Sequence, residues 1–429
     1  MNPNLAVPLS RPGRSPSPHG RSVSPRRVSR PLGARPLSAA LPPGGYKTES
    51  RQSSRNQLQF LPEPGCLGVL STSIPRYLPP SLTMAVTYLR EALNKILNAG
   101  ENNADRLEWS LAVLRLSATG SAPLTAAAVL NDPNESTMRD DLDALVNTAL
   151  NLLSVIPDSN LPKLIYYKGF WSETGSAGMV LDRGRAFEYY QQASLMGYQR
   201  AFYRLGIIYE SQERFSEAIA SFNRGAEAKD AGCCYALACL YLRGADQLVV
   251  DTSRALSYLR IAAENADDEI SIPAYIYGLA LAGEGKEWRV AREDIHIARL
   301  FIEKSAFLGS STAQVRMGEA YQKANLGCLY DPALSEHYYA LAVRRRNSDG
   351  MLGLVSWYMT GDDLVEQNYR LAYEYSREAM QLGNPRAYFA LAYCYEVGIY
   401  ITKNSTEAEK WYKQAADLGN ADAIARLES

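Results

Sequence analysis

The stretch RAYFALAYCYEVGIYITKNSTEAEKWYKQAADLGNADAIARL, Arg386–Leu427, decides the fold. Ala408, Trp411, Tyr412 and Ala415 stand at offsets i, i+3, i+4 and i+7, which places all four on one face of an α-helix. The preceding AYFALAYCYEVG, from Ala387, carries apolar residues at the same helical period and ends at Gly398, suited to the left-handed residue that closes a helix. The loop VGIYITKNS joins the two. Such a helical hairpin cannot bury its own apolar face, so it must stack on others of its kind.

Others are present. Working back along the chain, the pattern Ala-x-x-aromatic-aromatic-x-x-Ala recurs with Ala372, Tyr375, Ser376 and Ala379, and with Ser335, Tyr338, Tyr339 and Ala342. Earlier copies read Ala298, Phe301, Ile302, Ser305; Ala255, Tyr258, Leu259, Ala262; Ala218, Ser221, Phe222, Gly225; and Ala186, Tyr189, Tyr190, Ala193. An aliphatic version precedes them at Ala149, Leu152, Leu153 and Ile156. From first to last the copies start 37, 32, 37, 43, 37, 37 and 36 residues apart. Small ends let a neighbouring helix approach while the bulky pair fills the groove, so Tyr189, Tyr190, Phe222, Tyr258, Phe301, Tyr338, Tyr339, Tyr375, Trp411 and Tyr412 are expected to form the repeat core. This element is termed helix B. A helix A precedes it, with a small residue after an apolar one at Gly206, Ala238, Gly318 and Ala392; Val355 breaks that rule and predicts a poorer fit. The fold class expected is all-α, a right-handed α-solenoid: residues 1–82 a basic tail, 83–158 a degenerate repeat or capping region, and 159–429 a solenoid of about seven repeats.

The hairpin reading LG-x-x-Y-x-x-G and then A-x-x-WY-x-x-AA-x-x-G resembles Sel-one-like repeats, longer-looped relatives of tetratricopeptide repeats. The stretches ALSYLRIAAENADDEISIPAYIYGLA, with its acidic insert and Pro273, and LVSWYMTGDDLVEQNYRLAYEYSREAM are similar to the fungal chitin synthase activators, over roughly residues 105–429. That resemblance implies an adaptor that binds and activates a chitin synthase catalytic subunit and brings it to the bud neck or division septum, with septin-associated or bud-neck scaffold proteins as further partners. It implies no enzymatic activity. Some relatives end in a prenylated cysteine box, whereas this chain ends ARLES; membrane association is therefore expected to be indirect, through the partner.

The first ~80 residues are rich in Ser, Pro, Arg and Gly and cannot bury enough apolar surface to offset ordering entropy, so they are expected to be disordered. Residues 1–56 hold nine Arg and one Lys against one Glu, a formal +9, which leaves −10 for the rest of a chain whose total is −1. Ser15, Ser17 and Ser24 each precede a proline and are candidate sites for a proline-directed kinase, whose phosphate would cancel part of that positive charge. The chain opens without the apolar core of a signal peptide, and its longest apolar runs, such as Cys233–Leu242, are about half a bilayer span. A cytoplasmic location peripheral to the plasma membrane is expected, with the six scattered cysteines reduced.

Chemistry is hard to find. His19, His296 and His337 are the only histidines, and His337 reads as packing beside Tyr338. Cys233, Cys234 and Cys239 share a helix but lack partners at zinc spacing, so they read as small buried hydrophobes. AGEGKE around Lys286 imitates a phosphate loop, yet Ala280 replaces its first glycine and Glu287 its magnesium-binding hydroxyl. No cofactor or metal site is expected. The aromatic pairs follow a helical period and the body is acidic, which disfavours nucleic acid. The expected function is therefore a non-catalytic scaffold gripping a partner along its A helices, with Tyr203, Arg204, Arg316 and Tyr388 as candidate contacts because they fall between packing positions. An adaptor for another polarity or cytokinesis client shares these features, and a hydrolase would need an acid/base constellation that the sequence does not offer.

Overall fold

The computed structural model describes residues 82–98, 102–120, 135–157, 161–244, 248–285, 287–288, 290 and 293–428, all within the unit Ser50–Ser429. Ser15, Ser17, Ser24, His19, Cys66 and Lys286 lie outside them. Among the described residues every regular element is an α-helix. Three precede the repeats: α1 (Leu82–Asn98), α2 (Asn103–Gly120) and α3 (Glu135–Val155). Seven hairpins follow, as α4 (Pro162–Thr174) with α5 (Arg183–Leu195), α6 (Arg200–Ser211) with α7 (Phe215–Glu227), α8 (Ala231–Arg243) with α9 (Thr252–Glu264), and α10 (Ile272–Leu281) with α11 (Ile295–Phe307). The last three are α12 (Ser311–Lys323) with α13 (Pro332–Arg344), α14 (Ser348–Thr360) with α15 (Tyr369–Gln381), and α16 (Pro385–Val397) with α17 (Ser405–Asp417), before a short α18 (Ala421–Leu427). The result is a helical repeat solenoid.

The two bulky positions of helix B do different jobs. The i+4 residue enters the groove beneath helix A: Tyr190, Phe222, Leu259, Ile302, Tyr339 and Tyr412 are all buried. Helix A makes room by losing its side chain there. A Cβ built on Gly169 would come within 2.8 Å of the Tyr190 ring, on Gly278 within 2.6 Å of Ile302, and on Gly318 within 2.7 Å of Tyr339. Ala238 shares a core with Leu259, and Ala392 with Tyr412. Where helix A carries the bulkier Val355, the matching helix B position is Ser376, and both are buried. The misfit expected at Val355 is thus compensated by volume across the hairpin.

The i+3 residue flanks this groove instead, and in three hairpins it packs on the tyrosine near the end of helix A. Tyr258 stacks on Tyr241 (5.7 Å between centroids), Tyr338 on Tyr321 (5.8 Å) and Tyr375 on Tyr358 (6.2 Å). Tyr189, Tyr258, Phe301 and Trp411 are consequently only half-buried, whereas Tyr338 and Tyr375 are buried.

A repeated clamp closes each hairpin. Asp182, Asp251, Asp294, Asp331, Asn368 and Asn404 cap helix B, each with φ between −139° and −147° and a side-chain oxygen accepting from a backbone N–H two or three residues on. The N–H of the same residue donates back to a carbonyl at the end of helix A, at 2.7–3.2 Å. In the second hairpin Arg214 keeps the backbone half of this clamp, donating to the Tyr209 carbonyl at 2.9 Å, but offers no side-chain cap.

Before the repeats, α1, α2 and α3 share their own core, in which Leu89, Trp109, Val113, Leu142 and Ala149 are buried and the Trp109 indole donates to the Leu89 carbonyl at 2.9 Å. Leu153 and Ile156, at the i+4 and i+7 positions of the aliphatic copy, join the core of the first hairpin instead. The C-terminal end of α3 therefore packs as a helix B does.

Candidate interaction surface

The A helices carry the side chains that packing leaves over. Of the four candidate contacts, Tyr203 on α6 is half-buried against Gly232 of α8, where an added Cβ would come within 2.7 Å of its ring. Arg204, one residue on, lies over the Phe170 ring at 5.1 Å and pairs with Glu173 at 3.8 Å. Arg316 on α12 reaches Glu284 of the preceding hairpin at 2.5 Å and Asn325 at 3.2 Å. Tyr388 on α16 packs against Trp411 at 6.1 Å. The structure thus brings Tyr203 and Arg204 together near the N-terminal end of the repeats and sets Arg316 and Tyr388 on separate hairpins, each already engaged with neighbours.

Beside Arg204 lies a cluster that the repeat pattern gives no hint of. Connections from helix B to the next helix A span three or four residues elsewhere, but α9 and α10 are joined by the seven of 265–271. Asp267 folds this loop by accepting from the Glu269 and Ile270 N–H groups, each at 3.0 Å. Its carboxylate also takes the Arg200 guanidinium at 2.6 Å, and Arg200 bonds Asp230 at 2.6 Å and Glu269 at 3.4 Å. Asp230 meanwhile caps α8 through the Cys233 N–H. Glu269 accepts from the Tyr166 hydroxyl at 3.0 Å and from Tyr167, and Arg115 of α2 reaches Asp268 and donates to the Tyr167 hydroxyl at 2.6 Å.

Arg200 is only 8% exposed, and burying a charge is costly unless it is paired and hydrogen-bonded. Burial lowers its proton affinity, but the carboxylates of Asp230, Asp267 and Glu269 outweigh burial and hold it firmly charged. For Asp267, burial pushes the carboxyl up, yet Arg200 and the two backbone donors win and leave it below the usual carboxylate range. The Tyr166 hydroxyl is driven well above its ordinary value by burial and then by Glu269, so it stays a proton donor to that carboxylate. Elsewhere burial alone pushes down the His337 imidazole, whose Nε2 has no hydrogen-bond partner among the described residues. Burial also raises the thiols, to about 12 at Cys234 and Cys394, which makes them poor nucleophiles.

These features define a class of protein: stacked two-helix repeats, with the buried charges of the Arg200 cluster paired with one another. The Sel1 repeat family model matches five stretches of this chain, residues 166–198, 231–267, 311–347, 351–384 and 385–420. The stretches between matches hold the second hairpin, which lacks the Asx cap, and the fourth, whose helix A is the shortest of the seven. Among curated proteins, chitin synthase regulatory factor 4 of Schizosaccharomyces pombe is 29% identical over 367 residues, covering 82% of this chain and 56% of that protein. Chitin synthase regulatory factor 3 of the same yeast is 28% identical over 276 residues, covering 63% of this chain and 29% of that protein. The chain thus spans about half or less of the length of these relatives. Among solved structures, a protective antigen of uropathogenic Escherichia coli displaying an SLR fold matches with TM-score 0.48 and 25% identity, over 64% of this chain and 57% of that one.

Proposed function

We propose that this protein is a regulatory subunit for a chitin synthase: a non-catalytic adaptor that binds the synthase along its A-helix face and activates it at the division septum or bud neck. The observation that carries this reading is the similarity to chitin synthase regulatory factor 4 across 82% of the chain. The physics of the solenoid supports it. Repeat arrays offer long, preformed surfaces suited to protein partners. No helix among the described residues is long and apolar enough to cross a membrane, so attachment to a membrane enzyme through protein contact fits the chain. The non-catalytic part of the reading rests on the same similarity to proteins named as regulatory factors.

Tyr203, Arg204, Arg316 and Tyr388 remain the proposed contact residues. Affinity purification from detergent-solubilised fungal membranes tests the proposal, using the full chain and a form lacking residues 1–81. Co-purification of a chitin synthase with both forms, weakened by Arg316→Ala with Tyr388→Ala, is the expected result. Absence of any chitin synthase from either eluate, with both forms folded, overturns it.

A further inference from the structure

In a solenoid each unit normally touches only its neighbours, so stability builds from local terms and one end can melt without the other. The C-terminal hairpins obey this. Hydrogen bonds and ion pairs among them join adjacent units, as Arg316 to Glu284, Asn347 to Ser311 at 3.2 Å and Asn384 to Ser348 at 2.9 Å, although Arg345 at the end of the fifth hairpin also feels the charge of Asp268. The connection 265–271 does not. It lies between the third and fourth hairpins, yet its carboxylates reach Tyr166 and Tyr167 in the first, Arg200 in the second and Arg115 in α2, across sequence separations of 67 to 153 residues. Locally the connection buries Ala266 against Ala263 and Ala274 and accepts the Ser305 hydroxyl at the Ser271 carbonyl, while its three consecutive acids point to more distant partners.

We propose that residues 265–271 form a clasp that binds α2 and the first three hairpins into one cooperative block, while the hairpins beyond it open unit by unit. Each contact supplies part of the device. Arg200 is the pivot, buried and shared between Asp230 in the third hairpin and Asp267 in the clasp. Glu269 is the anchor in the first hairpin, taking two tyrosine hydroxyls. Asp268 with Arg115 is the outer catch that brings in the helices ahead of the repeats. Opening any one of these units exposes a charge buried by the others, so the units open together. The N-terminal part of the A-helix face is thereby held in one fixed shape.

Hydrogen–deuterium exchange of the intact chain tests this, because exchange reads local opening residue by residue. Arg115 and Asp268 are partly exposed, so their charge reversals spare the core. Arg115→Asp or Asp268→Arg alone is expected to speed exchange in α2 and α4 by at least about tenfold, with α14 to α17 unchanged. Combining the two should restore protection. Neutralising the inner contacts with Asp267→Asn and Glu269→Gln should also accelerate α2, α4 and α6 together. Acceleration confined to 265–281, acceleration spread equally over α14–α17, or a double reversal as labile as either single change overturns the proposal.

Discussion

The size exchange between the two helices of a hairpin can be tested at Gly318 and Tyr339. The Tyr339 ring is 2% exposed and lies between two glycines: a Cβ on Gly318 would come within 2.7 Å of it, and one on Gly353 within 2.5 Å. Its hydroxyl donates to Gln322 at 2.9 Å, which fixes the ring further. Tyr339→Ala empties this slot and should cost about 3–5 kcal/mol, the range for truncating a buried aromatic. Gly318→Ala overfills it. The ring cannot retreat because Gly353 backs it, so overpacking of about 1–3 kcal/mol applies, reduced by the ~0.5–1 kcal/mol that alanine gains over glycine inside a helix. If the two residues meet as described, the new methyl fits the space left by the lost ring. The double variant should then be less destabilised than the two single costs together by at least about 1 kcal/mol, within the usual coupling range for touching residues. Urea titration followed by circular dichroism measures the totals. Hydrogen exchange in α12–α14 supplies a local reading, since repeat arrays need not unfold in two states. Costs additive to within about 0.5 kcal/mol would mean that the two residues do not share this slot.

Other expectations concern groups whose roles the repeat pattern leaves unequal. Leu259→Ala, at the buried i+4 position, should cost about 2–5 kcal/mol, whereas Tyr258→Ala, half-buried on Tyr241, should cost only about 1–2 kcal/mol in thermal melts. Arg200→Met strands Asp230 and Asp267 and should cost about 3–5 kcal/mol at neutral pH. The wild type also loses part of the stability that this pair supplies on acidification. Asp267 has a folded pKa below its ordinary 3.8, so its contribution is complete above that value and fades as pH falls through it towards the folded one; the Arg200→Met variant should lack this loss. His337 acts in a higher window. Its folded pKa lies below 6.5, so both states are neutral above that value, and stability falls as pH drops from 6.5 towards the folded pKa while the unfolded chain takes up the proton first. A His337→Leu variant should show a flatter stability profile between about pH 6.5 and 5 by urea titration.

The hairpin was legible because a helix repeats every 3.6 residues and Ala408, Trp411, Tyr412 and Ala415 sample one face of it, copy after copy. That spacing does not distinguish the i+3 position from the i+4, since both point towards the neighbouring helix. Only packing shows that Tyr412 enters the groove while Trp411 stays at its edge. Val355 looked like a defect from helix A alone; the compensation at Ser376 lies on another helix, which a one-dimensional reading of helix A does not weigh. The caps were visible in principle, as Asp or Asn at the start of nearly every helix B, but their short side chains carry no periodic signal. The clasp was the hardest to see. ENADDEIS stood out as an acidic insert, yet nothing local says that its carboxylates meet Arg115 and Arg200, because those contacts depend on how successive hairpins stack.

If this solenoid regulates a chitin synthase by binding it, synthase activity in isolated fungal membranes depleted of the chain should respond to titration with the purified protein. Activity should rise and saturate as the protein is added, and the Arg316→Ala with Tyr388→Ala form should require a higher concentration for the same effect. A folded protein that leaves chitin formation unchanged at every concentration would mean that it does not regulate the synthase.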